Sequence, residues 1–159
     1  MNINVSRRGF LMGSAAGTAA LLVGVNANGV LAAGSVAAAT DLNPFVKIDA
    51  DGTVTVIIKH FEMGQGTTTG LTTLVAEELD ADWSTVQTAF APADNERYSN
   101  LFFHAQGTGG STSIANSFMQ YREAGAAARD LLVRAAAQSW DVDASSIAVD
   151  NGILTSGGN

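Results

Sequence analysis

Two glycine-rich stretches, each running straight into a helical pattern, constrain this chain more than any other feature. Glu62-Met63-Gly64-Gln65-Gly66 precedes residues 67–79, where Leu71, Leu74, Val75 and Leu79 share one helical face. Gly107-Thr108-Gly109-Gly110-Ser111-Thr112-Ser113 opens a longer helix over residues 113–139. Its apolar stripe runs through Ile114, Phe118, Tyr121, Gly125, Ala128, Leu132 and Ala136, and the small residues at 124–128 let another element approach closely. A helix start leaves backbone N–H groups without partners and carries partial positive charge. Glycines let a ligand come close to that backbone, so the pair of loops suits a phosphate or another anionic group. The plainer reading is that each loop only caps its helix. Two such loops in one small domain shift the balance towards a shared ligand without identifying it. Neither ends in the Gly-Lys-Ser/Thr of a nucleotide-binding P-loop, and Gly64-Gln65-Gly66 lacks the third glycine of a dinucleotide fingerprint. Gln65, between two glycines, can donate and accept at once, which suits a heterocycle edge or an oxo group.

Around the loops the pattern is α+β: short antiparallel strands with two helices, one of them long. Residues 45–48 and 53–60 read as strands joined at Asp51-Gly52, with Val54, Val56 and Ile58 on one face. Residues 85–91 read as a strand and 92–104 as irregular. Residues 147–149 and 153–155 read as a final hairpin turning at Asn151-Gly152.

The first 39 residues have the order of an export leader. Ser6-Arg7-Arg8-Gly9-Phe10-Leu11-Met12 resembles a twin-arginine motif, followed by an apolar run and an Ala-rich cleavage region. The expected division is a Tat signal peptide over 1–39 and a folded part over 40–159, delivered to the periplasm already folded. The formal net charge is −7. Without Arg7 and Arg8 the remaining part has six basic against fifteen acidic side chains. So acidic a surface argues against nucleic acid as a partner. The chain has no cysteine, which excludes disulfides and Cys-held zinc or iron–sulfur clusters within it.

Glu62-Met63-Gly64-Gln65-Gly66, continued by Thr67-Thr68-Thr69-Gly70-Leu71 and Leu74-Val75-Ala76-Glu77-Glu78-Leu79, resembles the molybdopterin-binding subunit of the xanthine oxidase family. The similarity is greatest to its exported branch, typified by the beta subunit of isoquinoline 1-oxidoreductases. Thr108-Gly109-Gly110-Ser111-Thr112-Ser113 and Arg122-Glu123-Ala124-Gly125-Ala126-Ala127-Ala128-Arg129 carry the same resemblance. It implies a molybdenum-dependent oxidoreductase that hydroxylates aldehydes or N-heterocycles with water as the oxygen source. It implies a molybdopterin cytosine dinucleotide here, iron–sulfur clusters on a separate small subunit, and a downstream electron acceptor. By position, Gly64, Gln65 and Gly66, with Gly110, Ser111 and Thr112, are expected to bind the cofactor. Gln106, Gly109 and Ser113 are weaker candidates.

The family's catalytic glutamate belongs to a far C-terminal segment with no match here. The expectation is therefore an N-terminal portion of a larger subunit, inactive alone, with no catalytic residue and no protein metal ligand of its own. Glu62 is read as part of the loop motif and not as that base. His60 and His104 are read as a strand-end and a loop histidine, Trp83 and Trp140 as core-edge residues, and Arg122, Arg129 and Arg134 as a solvated or ion-paired helix face. The alternative function is an exported stand-alone binding or interaction module without catalysis.

Overall fold

The computed structural model describes residues 3–6, 21–26, 29–30, 44–49 and 51–157. The strands are β1 (Ile3–Ser6), β2 (Leu21–Asn26), β3 (Gly29–Val30), β4 (Pro44–Ile48), β5 (Val54–Ile58), β6 (Val86–Phe90), β7 (Ile147–Asp150) and β8 (Ile153–Ser156). The α-helices are α1 (Thr67–Leu79), α2 (Asn95–Tyr98) and α3 (Ser113–Trp140). Five strands form one sheet in the order β3-β2-β4-β5-β6, and three form another in the order β1-β8-β7.

The mixed α and β architecture agrees with the sequence pattern, and helix α1 and both hairpins fall where it puts them. The antiparallel expectation holds for β4–β5 and β7–β8, whereas β5 and β6 are parallel. The reason is the element between them. Helix α1 carries the chain back across the sheet, so β6 restarts in the direction of β5. The stretch read as irregular contains the one-turn helix α2, whose first turn is held by the Asp94 carboxylate accepting from the Arg97 N–H at 3.1 Å. Trp140 packs at the core edge as expected, but Trp83 is 54% exposed, because it sits in a 3₁₀ turn ahead of β6. Much of the segment read as a leader, including Arg7 and Arg8, lies outside the described residues. Of the parts that are described, β1 pairs with β8, β2 with β4, and β3 with β2.

The core lies between the sheet and the two long helices. Phe45, Val46 and Ile48 of β4 and Val54, Val56 and Ile58 of β5 are buried with Leu71, Val75 and Leu79 of α1 and with Tyr121, Ala124, Ala127, Ala128, Leu132 and Ala136 of α3. Three contacts fix how the helices lie. The Ile114 methyl would come within 3.2 Å of a Cβ at Gly70. Farther along, Arg122 pairs with Glu78 at 2.5 Å and Arg129 with Asp80 at 3.7 Å. Both numberings rise together, so α1 and α3 run parallel and begin at the same end of the molecule.

The closest approach is at Gly125. A Cβ there would sit 2.7 Å from the Val75 carbonyl oxygen and 2.9 Å from Glu78 Cβ. The small-residue stretch of α3 therefore lets two backbones touch, as the sequence suggests. Both long helices end alike, on an aspartate in the left-handed region: Asp80 (φ 55°) and Asp141 (φ 55°). Asp80 also holds the last hairpin, since its carboxylate accepts from the Asn151 N–H at 3.1 Å and its carbonyl from the Gly152 N–H at 2.7 Å.

Gly125→Ala forces a methyl group against backbone that cannot retreat. The expected result is a net loss of about 1–3 kcal/mol, the usual scale of overpacking, even though alanine is the better helix former. Urea unfolding of the two proteins measures it. Equal or higher stability of the variant would mean that the helices are not pressed together at this point.

Candidate functional site

The site is built at the end of the sheet where β5 and β6 finish. In sheets of this kind ligands enter beyond the carboxyl ends of parallel strands. Here a cleft of about 280 Å³ opens there, lined by Lys59, His60, Phe61, Phe90, Gln106 and Thr108 among others. Because α1 and α3 run parallel, both glycine-rich loops meet at this end. The Phe61 N–H donates to Thr108 Oγ1 at 2.9 Å, joining the first loop directly to the second.

The end of β5 is sewn to α3 by a tyrosine. The Ile58 carbonyl accepts from Ala91, on the β6 side of the strand. The Ile57 carbonyl and the Lys59 N–H therefore point the other way, towards β4, which begins with Pro44. The buried Tyr121 hydroxyl closes this gap, donating to the Ile57 carbonyl at 2.7 Å and accepting from the Lys59 N–H at 3.1 Å. Burial pushes its own ionisation up, far from the physiological range. The adjacent Lys59 side chain is 4% exposed and donates to the Ser99 carbonyl at 3.0 Å and to Gln120 Oε1 at 2.5 Å. Both partners are neutral, and burial brings the ammonium down to about 8.

The first loop is closed by its own side chains. Glu62 Oε1 accepts from the Gly64 and Gly66 N–H groups at 2.8 and 3.0 Å, and Oε2 from the Thr68 N–H at 2.9 Å. Those bonds hold its carboxyl below the ordinary carboxylate range. Glu62 thus already takes the Gly66 and Thr68 N–H groups at this helix start, where its carboxylate competes with any anionic ligand. Its role is that of a cap, reaching forward from before the glycines. Gln65 Oε1 accepts from Met63 N–H at 2.6 Å and Nε2 donates to the Phe61 carbonyl at 2.7 Å. One amide hydrogen and one lone pair remain to it. Gly64 (φ 91°) and Gly66 (φ 80°) face open space, with nothing within 4 Å of where a side chain would start.

The second loop differs. The N-cap residue of α3, Thr112, makes no side-chain capping bond of its own. The Thr112 hydroxyl is turned inward, donating to the Gly109 carbonyl at 2.8 Å and accepting from Asn100 Nδ2 at 2.8 Å. Gly110 and Ser111 both have positive φ (61° and 55°) and are exposed, with the Phe103 ring 3.6 Å from a Cβ at Gly110. Of the weaker candidates, Ser113 is buried, Gly109 lies under Phe103, and Gln106 lines the cleft, with its amide tied to Asp94 N–H and the Pro92 carbonyl at 3.0 Å each.

Sequence reasoning passed over His60. It is 1% exposed and, from just before the first loop, reaches the second loop and α3: Nδ1 lies 3.2 Å from the Gly107 carbonyl and Nε2 2.9 Å from Ser117 Oγ. The available signal was its position between a strand of buried alternate residues and the glycine motif. His104, by contrast, is an exposed loop residue, as read.

The Glu62 cap makes the start of α1 sensitive to acid. A carboxyl whose folded pKa is lowered contributes stability above its unfolded value, near 4.5, and loses it as pH falls through the folded value. The native chain should therefore lose more of its urea midpoint than Glu62→Gln on acidification from pH 6 through that window. Parallel pH profiles would remove the capping role.

A family model described as a molybdopterin cofactor-binding domain matches residues 12–158. The match begins inside the segment read as a leader. The chain is 37% identical to the beta subunit of isoquinoline 1-oxidoreductase from Brevundimonas diminuta, over 96% of this chain and 20% of that protein. It is 33% identical to a membrane-bound aldehyde dehydrogenase (pyrroloquinoline-quinone) from Gluconacetobacter polyoxogenes, over 70% of this chain and 14% of that protein. It thus spans about a fifth or less of the length of these relatives. With the match running through both glycine-rich loops and both helices they open, the chain belongs to the molybdopterin cofactor-binding domain family.

Proposed function

We propose that this chain supplies the cofactor-contacting N-terminal portion of a molybdenum hydroxylase large subunit, and that it is inactive without the rest. The observation that carries this reading is the convergence of both glycine-rich loops at one end, joined by the 2.9 Å bond from Phe61 to Thr108. Fit to a pterin nucleotide rests on three features. Open space faces Gly64 and Gly66, Gln65 keeps one donor and one acceptor, and the N-cap residue of α3 makes no side-chain capping bond. On this reading Gly64, Gln65 and Gly66 contact the neutral ring edge, and Gly110, Ser111 and Thr112 face the more polar part. When bound, a molybdopterin cytosine dinucleotide supplies the metal centre at which an aldehyde or N-heterocycle is hydroxylated. The chain's own residues bind and orient that group. Lys59, cationic at pH 7, adds positive charge behind the cleft in an otherwise acidic molecule. A small iron–sulfur subunit and a downstream acceptor complete the electron path.

One observation favours a second reading, an exported binding module without catalysis: Glu62 and Gln65 satisfy the first loop from within the chain. Molybdenum and cytidine nucleotide content separates the two. A complete subunit carrying Gln65→Ala should retain clearly less molybdenum than the parent at equal folded yield. Equal metal content would take Gln65 out of the cofactor site, and no molybdenum in either protein would favour the module.

The leader is part of the proposal. Its removal takes β1, β2 and β3 from the sheet margins and leaves β4, β5 and β6 with both long helices. Changing Arg7 and Arg8 to lysines in the complete subunit should leave it in the cytoplasm. Undiminished arrival in the periplasm on cell fractionation would overturn the Tat assignment.

A further inference from the structure

We propose that His60 is a positioning residue, an imidazole clasp that holds the two glycine-rich loops in a single arrangement with its proton on Nδ1. Its importance for a cofactor rests on the function proposed above, but the clasp itself does not.

The geometry leaves little freedom. A backbone carbonyl can only accept, so the contact from Nδ1 to the Gly107 oxygen requires a proton on Nδ1. Neutral Nε2 is then an acceptor, and the Ser117 hydroxyl, 2.9 Å away, donates to it in preference to Asn116 Oδ1, which lies farther off at 3.3 Å. One ring thereby joins three pieces of chain. These are the end of β5, just before the first loop; the Gly107 carbonyl at the entrance of the second; and the second turn of α3. Burial and the neighbouring Lys59 ammonium both disfavour a charged ring, which keeps it neutral, and the Gly107 carbonyl then selects the Nδ1 tautomer. The flanking contacts act in the same place. Phe61, the next residue, donates to Thr108, the residue after Gly107. Asn100 Nδ2 donates to Thr112 Oγ1 and reaches the Gly107 carbonyl at 3.4 Å.

The second loop needs such a clasp. A half-buried glycine at 109, an exposed one at 110 and a non-glycine residue of positive φ at 111 give it little order of its own. Without a fixed partner at Gly107, the entropy recovered by the loop would favour many arrangements over one. A binding loop held in one arrangement does not have to be ordered by its ligand.

Hydrogen exchange on the 159-residue chain tests this without any cofactor. His60→Leu removes both bonds, and the amides of 62–68 and 107–112 should exchange on the order of ten-fold faster, the scale of losing one buried hydrogen bond. The amides of 124–132 in α3 should keep their protection. His60→Asn retains a donor near Nδ1 and should restore protection over 107–112. A change spread evenly over the molecule would make His60 a packing residue only. Loop exchange unchanged in His60→Leu, or no rescue by asparagine, would likewise overturn the clasp. If His60→Leu does not fold, ring-nitrogen NMR of the native chain and Ser117→Ala decide. The proposal expects a protonated Nδ1 and a bare Nε2 in the native protein, with faster loop exchange in Ser117→Ala. A protonated Nε2 in the native ring, or no change in the serine variant, refutes it. Failure of the complete subunit to bind molybdenum would overturn the proposed function and leave this result untouched.

Discussion

The contact of α1 with α3 at Gly125 governs the rest of the structure. With backbone against backbone there, and with Glu78–Arg122 and Asp80–Arg129 paired in the same order along both helices, α1 and α3 lie parallel. Parallel helices bring their starts to the same end, and the parallel strands β5 and β6 deliver the chain to that end twice. The site is thus a consequence of direction. An antiparallel pair of helices with the same loops would have put the two glycine motifs on opposite faces.

Direction alone does not make the two helix starts equivalent. Glu62 accepts from three backbone N–H groups at the first, two of them at the helix start itself, and puts a negative charge beside it. At the second, the N-cap Thr112 spends its hydroxyl inward on Gly109 and Asn100. The end of the molecule is therefore polarised. On the proposed reading, the amide of Gln65, over open glycines, meets the planar heterocycle of a ligand whose anionic tail lies towards the second loop.

The parts legible in the sequence were those set by short-range pattern. Helix α1 ends where the Leu71-Leu74-Val75-Leu79 stripe stops, and the Asn151-Gly152 turn forms because that pair suits a tight hairpin. The closeness permitted by residues 124–128 was legible too, since only small side chains allow it. The parallel β5–β6 pair was not, because strand direction depends on where the intervening helix lies and not on any residue in the strands. Glu62 as a cap was hidden for a related reason. Its carboxylate reaches forward two, four and six residues across a glycine turn, a spacing outside the usual capping box. His60 was missed because its partners, Gly107 and Ser117, are 47 and 57 residues away. No local pattern encodes such a contact.

The same end carries much of the exposed aromatic surface. Phe61 stacks with Phe90 at 6.1 Å beside the cleft, and Phe102 meets Phe103 at 5.4 Å over the second loop. Phe61 and Phe102 are each about 70% exposed. Apolar rings left in water at the mouth of a site cost solvation free energy, and the fold gains nothing obvious from them here. They do lower the effective dielectric around the loops once anything covers them. That would strengthen the hydrogen bonds from Gln65 and the start of α3 while leaving the buried His60 and Tyr121 bonds much as they are. Exposed groups at the rim and already-dry groups beneath them thus divide the labour: the buried bonds set the geometry in advance, and the rim gives that geometry its strength only when the site is closed.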